Sequence, residues 1–167
     1  MFAVSDRVNY GANGVCEIAD IVEKNFCGQV VKYFVLRPVF SVNAQIFVPV
    51  ENKELTSKML QVLSKNEVES LVNALPVKPD KWTNDNSNLG ERFRQAVGSG
   101  DRLCLAKLIE TISVRRKELA TEGKRLRMSD EKIMNDAKKL LYNEIAYVLK
   151  IDPDQVVEYI ESQIQKR

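Results

Sequence analysis

Ser64-Lys65-Asn66-Glu67-Val68-Glu69-Ser70-Leu71-Val72-Asn73-Ala74-Leu75 is the stretch at which the chain changes its period. Ser64 and Glu67 have the spacing of a capping box, in which the serine hydroxyl accepts from the Glu67 amide and the carboxylate accepts from the Ser64 amide. Val68, Leu71, Val72 and Leu75 then fall on one face at helical spacing. Everything before this stretch reads as strand and everything after it as helix, which predicts an α+β chain with its two kinds of structure segregated.

Upstream, Arg7 to Tyr10 is short and alternating, and Asn13-Gly14 offers the positive φ values of a tight turn. Val15 to Glu23 follows as a strand whose alternation breaks near Ala19. Asn25 to Gly28 turns into Val30 to Val39, rich in Val, Tyr, Phe and Leu, and Ser41 to Ala44 turns into Gln45 to Val50. Pro38 and Pro49 sit near strand ends, where a missing ladder donor is tolerated. Four or five short strands are too few for a sandwich and predict a small SH3/Tudor-like β-barrel. Such a barrel stays partly open, and Gln45, Ile46, Phe47 and Val48 form an apolar candidate for its edge. That ribbon is either covered by the rest of the protein or docks a strand of another one.

Downstream, Pro76 and Pro79 end the first helix, and residues 76–88 carry the only tryptophan, Trp82, among prolines and asparagines. A helix over 88–97 stops at Gly98-Ser99-Gly100. The next starts at Asp101, shows Leu105, Leu108, Ile109 and Ile112 at core spacing, and ends at Gly123. Ser129, followed by Asp130 and Glu131, predicts another start, with Ile133, Ala137, Leu140, Leu141, Ile145 and Val148 facing inward. Asp152-Pro153-Asp154-Gln155 is a strong start signal for a last helix bearing Val156, Ile160 and Ile164. The expected organisation is a barrel over 1–64, a helix and linker over 65–88 and an all-α domain over 89–167.

The chain of 167 residues has no histidine, which removes the usual zinc ligand and the usual neutral-pH general base. Its three cysteines are far apart, with no Cys-x-x-Cys pair and no disulfide framework. No nucleotide loop, nucleophile elbow or paired carboxylates stand out. The expectation is a non-enzyme without cofactor or metal. No apolar run approaches the ~18 residues of a membrane span, and the first residues lack signal-peptide form, so a cytoplasmic protein is expected.

Charge is unevenly placed. Residues 1–75 hold seven basic and eight acidic side chains, and residues 76–167 hold eighteen and fifteen. Within the second half, Arg115, Arg116, Lys117, Lys124, Arg125 and Arg127 cluster around two acidic residues, Glu118 and Glu122. The cluster is either a solvated helix end or a surface facing phosphates.

The ordered set of motifs resembles the CarD, or CdnL-like, family of bacterial transcription regulators over nearly the whole chain. The matching pieces are Phe2 to Asp6, Val8-Asn9-Tyr10, Gly14-Val15, Lys32-Tyr33-Phe34-Val35-Leu36 and Phe47-Val48-Pro49-Val50-Glu51-Asn52. Farther on they are Ser99-Gly100-Asp101, Leu108-Ile109 through Arg115-Arg116-Lys117, and Ala137 through Glu144. The resemblance implies a Tudor-like module akin to the polymerase-interaction domain of the transcription-repair coupling factor. It implies that the edge strand Gln45–Val48 joins a sheet of the RNA polymerase β subunit, with Lys24 facing the polymerase. Some relatives have a basic residue where this chain has Phe47.

The resemblance further implies a helical domain on promoter DNA at the upstream edge of the bubble, without sequence-specific readout. Trp82 would act there as a minor-groove wedge; the alternative from the residues alone is a tryptophan packed between domains. Relatives often follow the tryptophan with a basic run, whereas Thr83 to Asn88 intervenes here and basic residues resume at Arg92 and Arg94. Arg92, Arg94, Lys132, Lys138 and Lys139 join the Arg115–Arg127 cluster as phosphate candidates. The implied activity is stabilisation of the open complex by a monomer, with pairing of barrel edges into a dimer as the alternative. The rival function is a polymerase-binding adaptor whose helical domain binds protein rather than DNA.

Overall fold

A computed structural model describes residues 1–83 and 88–167. The chain folds as two compact units, Met1–Leu63 and Ser64–Arg167. Strands occupy the first and helices the second, with one short helix among the strands. The predicted segregation is therefore the observed one.

In the first unit, β1 (Arg7–Tyr10), β2 (Val15–Phe26), β3 (Gln29–Pro38), β4 (Ile46–Pro49) and β5 (Met59–Gln61) form one sheet in the order β4-β3-β2-β1-β5. All pairings are antiparallel. The break in alternation at Ala19 is a bulge between Ile18 and Asp20. It lets Cys16 and Ile18 point into the core before the ladder runs on into an exposed hairpin. Cys27 and Gly28, with φ of 50° and 80°, close that hairpin as a two-residue turn. The first turn differs from expectation. Residues Gly11–Asn13 form a short 3-10 turn, and positive φ falls on Gly11 and Gly14 rather than on Asn13. Gly14, at φ 71° and ψ −149°, occupies a region that a side chain would forbid. After β4, Asn52 caps the short α1 (Lys53–Thr56) by accepting from the Leu55 amide at 3.1 Å. Val8, Cys16, Ile18, Phe34, Leu36, Val48 and Met59 make the core, with Phe2, Tyr10, Ile46, Val50 and Leu55 packed around it.

The second unit begins with α2 (Lys65–Asn73), closed by the predicted capping box: Glu67 N donates to Ser64 Oγ at 3.3 Å and Ser64 N to Glu67 Oε2 at 2.7 Å. This helix packs against α5 (Met128–Leu149) and α6 (Val156–Gln165). α3 (Leu89–Ser99) passes through Gly98 and ends at Gly100, whose φ is 70°. α4 (Arg102–Thr121) is capped by Asp101 and ends where Lys124 N donates to Leu119 O at 2.8 Å and Gly123 N to Ala120 O at 3.1 Å. Those two bonds with Gly123 at φ 71° are a Schellman closure at the predicted glycine. α5 starts two residues earlier than Ser129 as N-cap would dictate. Arg127 is its N-cap and its carbonyl accepts from Asp130 and Glu131. Leu126 packs on the core just upstream, which fixes where the chain turns into helix. The capping box of Asp152 and Gln155 precedes α6 as predicted.

Leu105, Leu108, Ile109 and Ile112 are buried on α4, and Ala137, Leu140, Leu141 and Ile145 on α5. Met134 and Ala146 are also buried on α5, while Ile133 and Val148 are only partly so. Arg102 joins α4 to α5 through Glu144, with Nε–Oε2 at 2.9 Å and Nη2–Oε1 at 2.7 Å. At the far end, Arg167 donates to Leu75 O and Val72 O at 2.7 and 2.8 Å, the latter carbonyl also accepting from Leu75 N at 3.1 Å.

Candidate functional site

Each unit presents one candidate surface. In the sheet it is β4, a terminal strand whose outer side has no strand partner among the described residues. Val50 N donates to Lys32 O at 2.9 Å, and β4 pairs with β3 as Phe34↔Val48 and Leu36↔Ile46. Antiparallel ladders alternate, so those pairs exchange bonds while Phe47 and Pro49 turn their polar groups outward. Phe47 therefore offers both N–H and C=O at the edge, and Pro49 only a carbonyl.

The side chains beside that edge are aromatic and cationic. Lys24 Nζ lies 3.6 Å over the Phe47 ring. Tyr33 meets Phe47 edge-on at 6.4 Å and Phe26 at 6.3 Å between centroids. Phe26 is 57% exposed and Phe47 40%. Lys24 and Phe47 thus lie together, with Val48 turned into the core and Ile46 packed against it; the strand runs Ile46–Pro49 rather than Gln45–Val48, so Gln45 lies just before it. Phe26 and Tyr33 were not singled out by sequence; Tyr33 read only as a strand residue and Phe26 as part of a turn.

In the helical unit, Trp82 is half-buried against Leu89, Leu108, Ile112 and Met134. The Arg115 guanidinium lies 5.6 Å from the ring centroid and pairs with Glu118 at 3.3 Å. Two residues before the tryptophan, Asp80 bridges two helices. Its Oδ2 is 2.6 Å from Arg92 Nη2 on α3 and its Oδ1 is 2.8 Å from Lys107 Nζ on α4. The Asp80 amide donates to Thr111 Oγ1 at 3.0 Å, and that hydroxyl donates to Lys107 O at 2.7 Å. Lys107, Thr111 and Arg115 fall at i, i+4 and i+8, so one stripe of α4 holds the whole Asp80–Trp82 segment. Lys107 beside Asp80, with Arg92, holds its carboxyl below the ordinary aspartate range.

The predicted cations are not one patch. Arg92 is taken by Asp80, and Lys124 pairs with Glu122 at 3.2 Å. Lys138 is half-buried, and burial together with the nearby Arg116 lowers its pKa. Adjacent helix positions diverge by about 100°, so Arg115 serves Trp82 while Arg116 lies by Lys138. Arg94, Arg116, Lys117, Arg125, Arg127, Lys132 and Lys139 are exposed, and none of them makes an ion pair among the described residues. Of the segment that separates Trp82 from Arg92, residues 84–87 lie outside the described residues.

Two of the three thiols are held in their protonated form. Burial pushes the Cys16 thiol up to about 12, and the Asp101 carboxylate 3.2 Å from Cys104 Sγ raises that thiol too. Among the described residues there is no group of three or more His, Cys, Asp or Glu placed to hold a metal ion.

Residues 2–61 match the CarD-like/TRCF RID domain, and residues 72–161 match the CarD C-terminal domain. The chain belongs to the CarD family. The two matches fall one on each compact unit, so the five-stranded sheet is a Tudor-like barrel and the helices are the CarD C-terminal domain. CarD proteins are RNA-polymerase-interacting transcription factors, a family that is in general not enzymatic. A search of curated proteins finds no match to the chain. Among the described residues no helix is long and apolar enough to cross a membrane.

Proposed function

We propose that this CarD-family chain binds the RNA polymerase β subunit through the β4 edge and stabilises the open promoter complex through its helical unit. The observation that carries the reading is the outward-turned Phe47 backbone on a terminal strand of the polymerase-interaction domain. A partner strand can add there, with Lys24 and the Phe26–Tyr33–Phe47 platform fixing side-chain contacts beside the main-chain bonds. Gln45 and Ile46 extend the ribbon.

Trp82 then meets the melted edge of the promoter, its half-exposed ring filling the gap left by unstacked bases. Arg94, Arg116, Lys117, Arg125, Lys132 and Lys139 supply phosphate contacts, with Lys124, Lys138, Arg115 and Arg92 contributing where their internal partners release them. On this reading promoter choice rests with polymerase and DNA deformability. The protein acts in the cytoplasm as a monomer on polymerase; a dimer paired through β4 would cover the same edge.

A second reading draws on the internal pairing of Arg92, Arg115 and Lys124, which leaves the helical unit only weakly cationic. On that reading the unit binds protein and the chain is an adaptor. The lifetime of open complexes, measured with wild type and Trp82→Ala at equal occupancy of polymerase, separates them. A DNA-contacting unit predicts a shorter lifetime with the variant and salt-sensitive cross-links from the helical unit to promoter DNA. An adaptor predicts an unchanged lifetime and no such cross-links.

A further inference from the structure

The chain has one tryptophan, and the function proposed above gives no role to Asp80, the acidic centre of the cluster that holds its segment in place. Asp80 is fixed at its main chain by Thr111 and at its side chain by Arg92 and Lys107, from two different helices. Only Lys81 separates it from Trp82. Two residues span at most about 7 Å of extended chain, so fixing Asp80 confines where the Trp82 backbone can lie.

We propose that Asp80 is the positioning residue for Trp82, setting the ring on the helical unit and, by the same bonds, withholding Arg92 and Lys107 from outside phosphates. The inference rests on the reading of Trp82 as the DNA contact. Three observations support it. The side chains of Asp80, Arg92 and Lys107 are 39%, 33% and 46% exposed, and ion pairs that open to water add little to stability. A contribution to folding therefore does not explain the bridge, whereas its two-helix geometry does define a place. Beside it lies a cleft of about 370 Å³, lined by Asp80, Arg92, Lys107, Gln95 and Ser99 among others, which leaves both cations approachable from outside. The third is Arg115, on the same stripe of α4 as Lys107 and Thr111, which lies over the ring that Asp80 positions.

Asp80 in this account occupies the place a phosphate would take. Removing its charge has two opposite consequences. The tryptophan loosens, so the open complex loses stabilisation, while two cations become free for duplex phosphates, so plain DNA affinity rises. A residue with a merely structural role would lower both.

The test uses the full chain with Asp80→Asn, which keeps the amide bond to Thr111 and the side-chain shape. Because Trp82 is the only tryptophan, its emission reports this site alone. The expected results are a red-shifted emission with faster acrylamide quenching, an unchanged far-ultraviolet spectrum, and an open-complex lifetime falling toward that of Trp82→Ala. The salt dependence of binding to a duplex steepens by up to about 1.8, at ~0.9 per phosphate gained. Asp80→Glu restores the emission at least in part. Should Asp80→Asn fail to fold, Lys107→Met reads the same bridge from its other side, with a smaller shift in emission. Unchanged emission and quenching overturn the positioning claim whatever the DNA does. Shifted emission with an unchanged lifetime overturns it as well when Trp82→Ala does shorten the lifetime. If Trp82→Ala has no effect on lifetime either, the wedge reading is what fails, and the fluorescence shift still supports Asp80 as the residue that places the ring.

Discussion

Glu144 has almost no contact with water, its side chain 2% exposed, and both of its oxygens accept from Arg102, itself 12% exposed. Truncating one member of such a pair strands the other charge in the interior, a change worth about 3–5 kcal/mol. Glu144→Ala is therefore expected to lower the stability of the helical unit by about that amount, with urea unfolding followed by Trp82 emission as the measurement. Glu144→Gln, which retains an acceptor, should cost less. Asp80 supports a different test, on pH. Its folded pKa is depressed, first by the bond to Lys107, so what it contributes is present at neutral pH and is lost only as pH falls through the folded value, below the ordinary aspartate range. With no histidine in the chain, no side chain of ordinary pKa titrates between about pH 5 and pH 8. Trp82 emission should stay level across that window and change only in stronger acid, with the change absent in Asp80→Asn. A step near pH 6 would contradict this account of the site.

For the elements, the informative strand is β4. Phe47 N–H points away from β3, so Phe47→Pro removes a donor at the edge without removing a bond of the existing ladder. Binding to the polymerase β subunit should fall by about tenfold or more, corresponding to ~1.4 kcal/mol, relative to Phe47→Ala, which lacks the ring but keeps the amide. Equal binding by the two variants would mean that the edge is not the docking site. The elements also differ in how well the sequence disclosed them. Capping boxes at Ser64 and Asp152 and the glycine after α4 name their own positions, because the residues that make the bonds are five or fewer apart. β5 has three residues, Met59–Gln61, too few to display alternation, and exists because β1 offers it a ladder. The setting of Trp82 was illegible for a related reason. Asp80 finds its partners on two later helices, and nothing local to Asp80-Lys81-Trp82 encodes where α3 and α4 will pass.

At the scale of the whole molecule, two surfaces of unlike physics are carried on one chain. On the function proposed above, the β4 edge would work through main-chain hydrogen bonds and aromatic contact, which salt screens little. The helical unit would work through a few exposed cations, which salt screens strongly. The exposed cations of the helical unit that make no ion pair among the described residues point in more than one direction and allow about three phosphate contacts at once, and three contacts imply an affinity loss of about 40-fold between 50 and 200 mM salt. Alone, such a unit holds DNA poorly. On the proposed function, anchoring on polymerase would bring it to the promoter at an effective concentration in the millimolar range, as short tethers allow. Raising salt should therefore erase the gain in open-complex lifetime while capture of the β subunit by the full chain stays nearly constant. Parallel loss of both would place charge at the polymerase contact, with Lys24 as the first residue to test by Lys24→Gln. Persistence of both would show that Trp82 acts without phosphate contacts, and the helical cations would then be solvated surface.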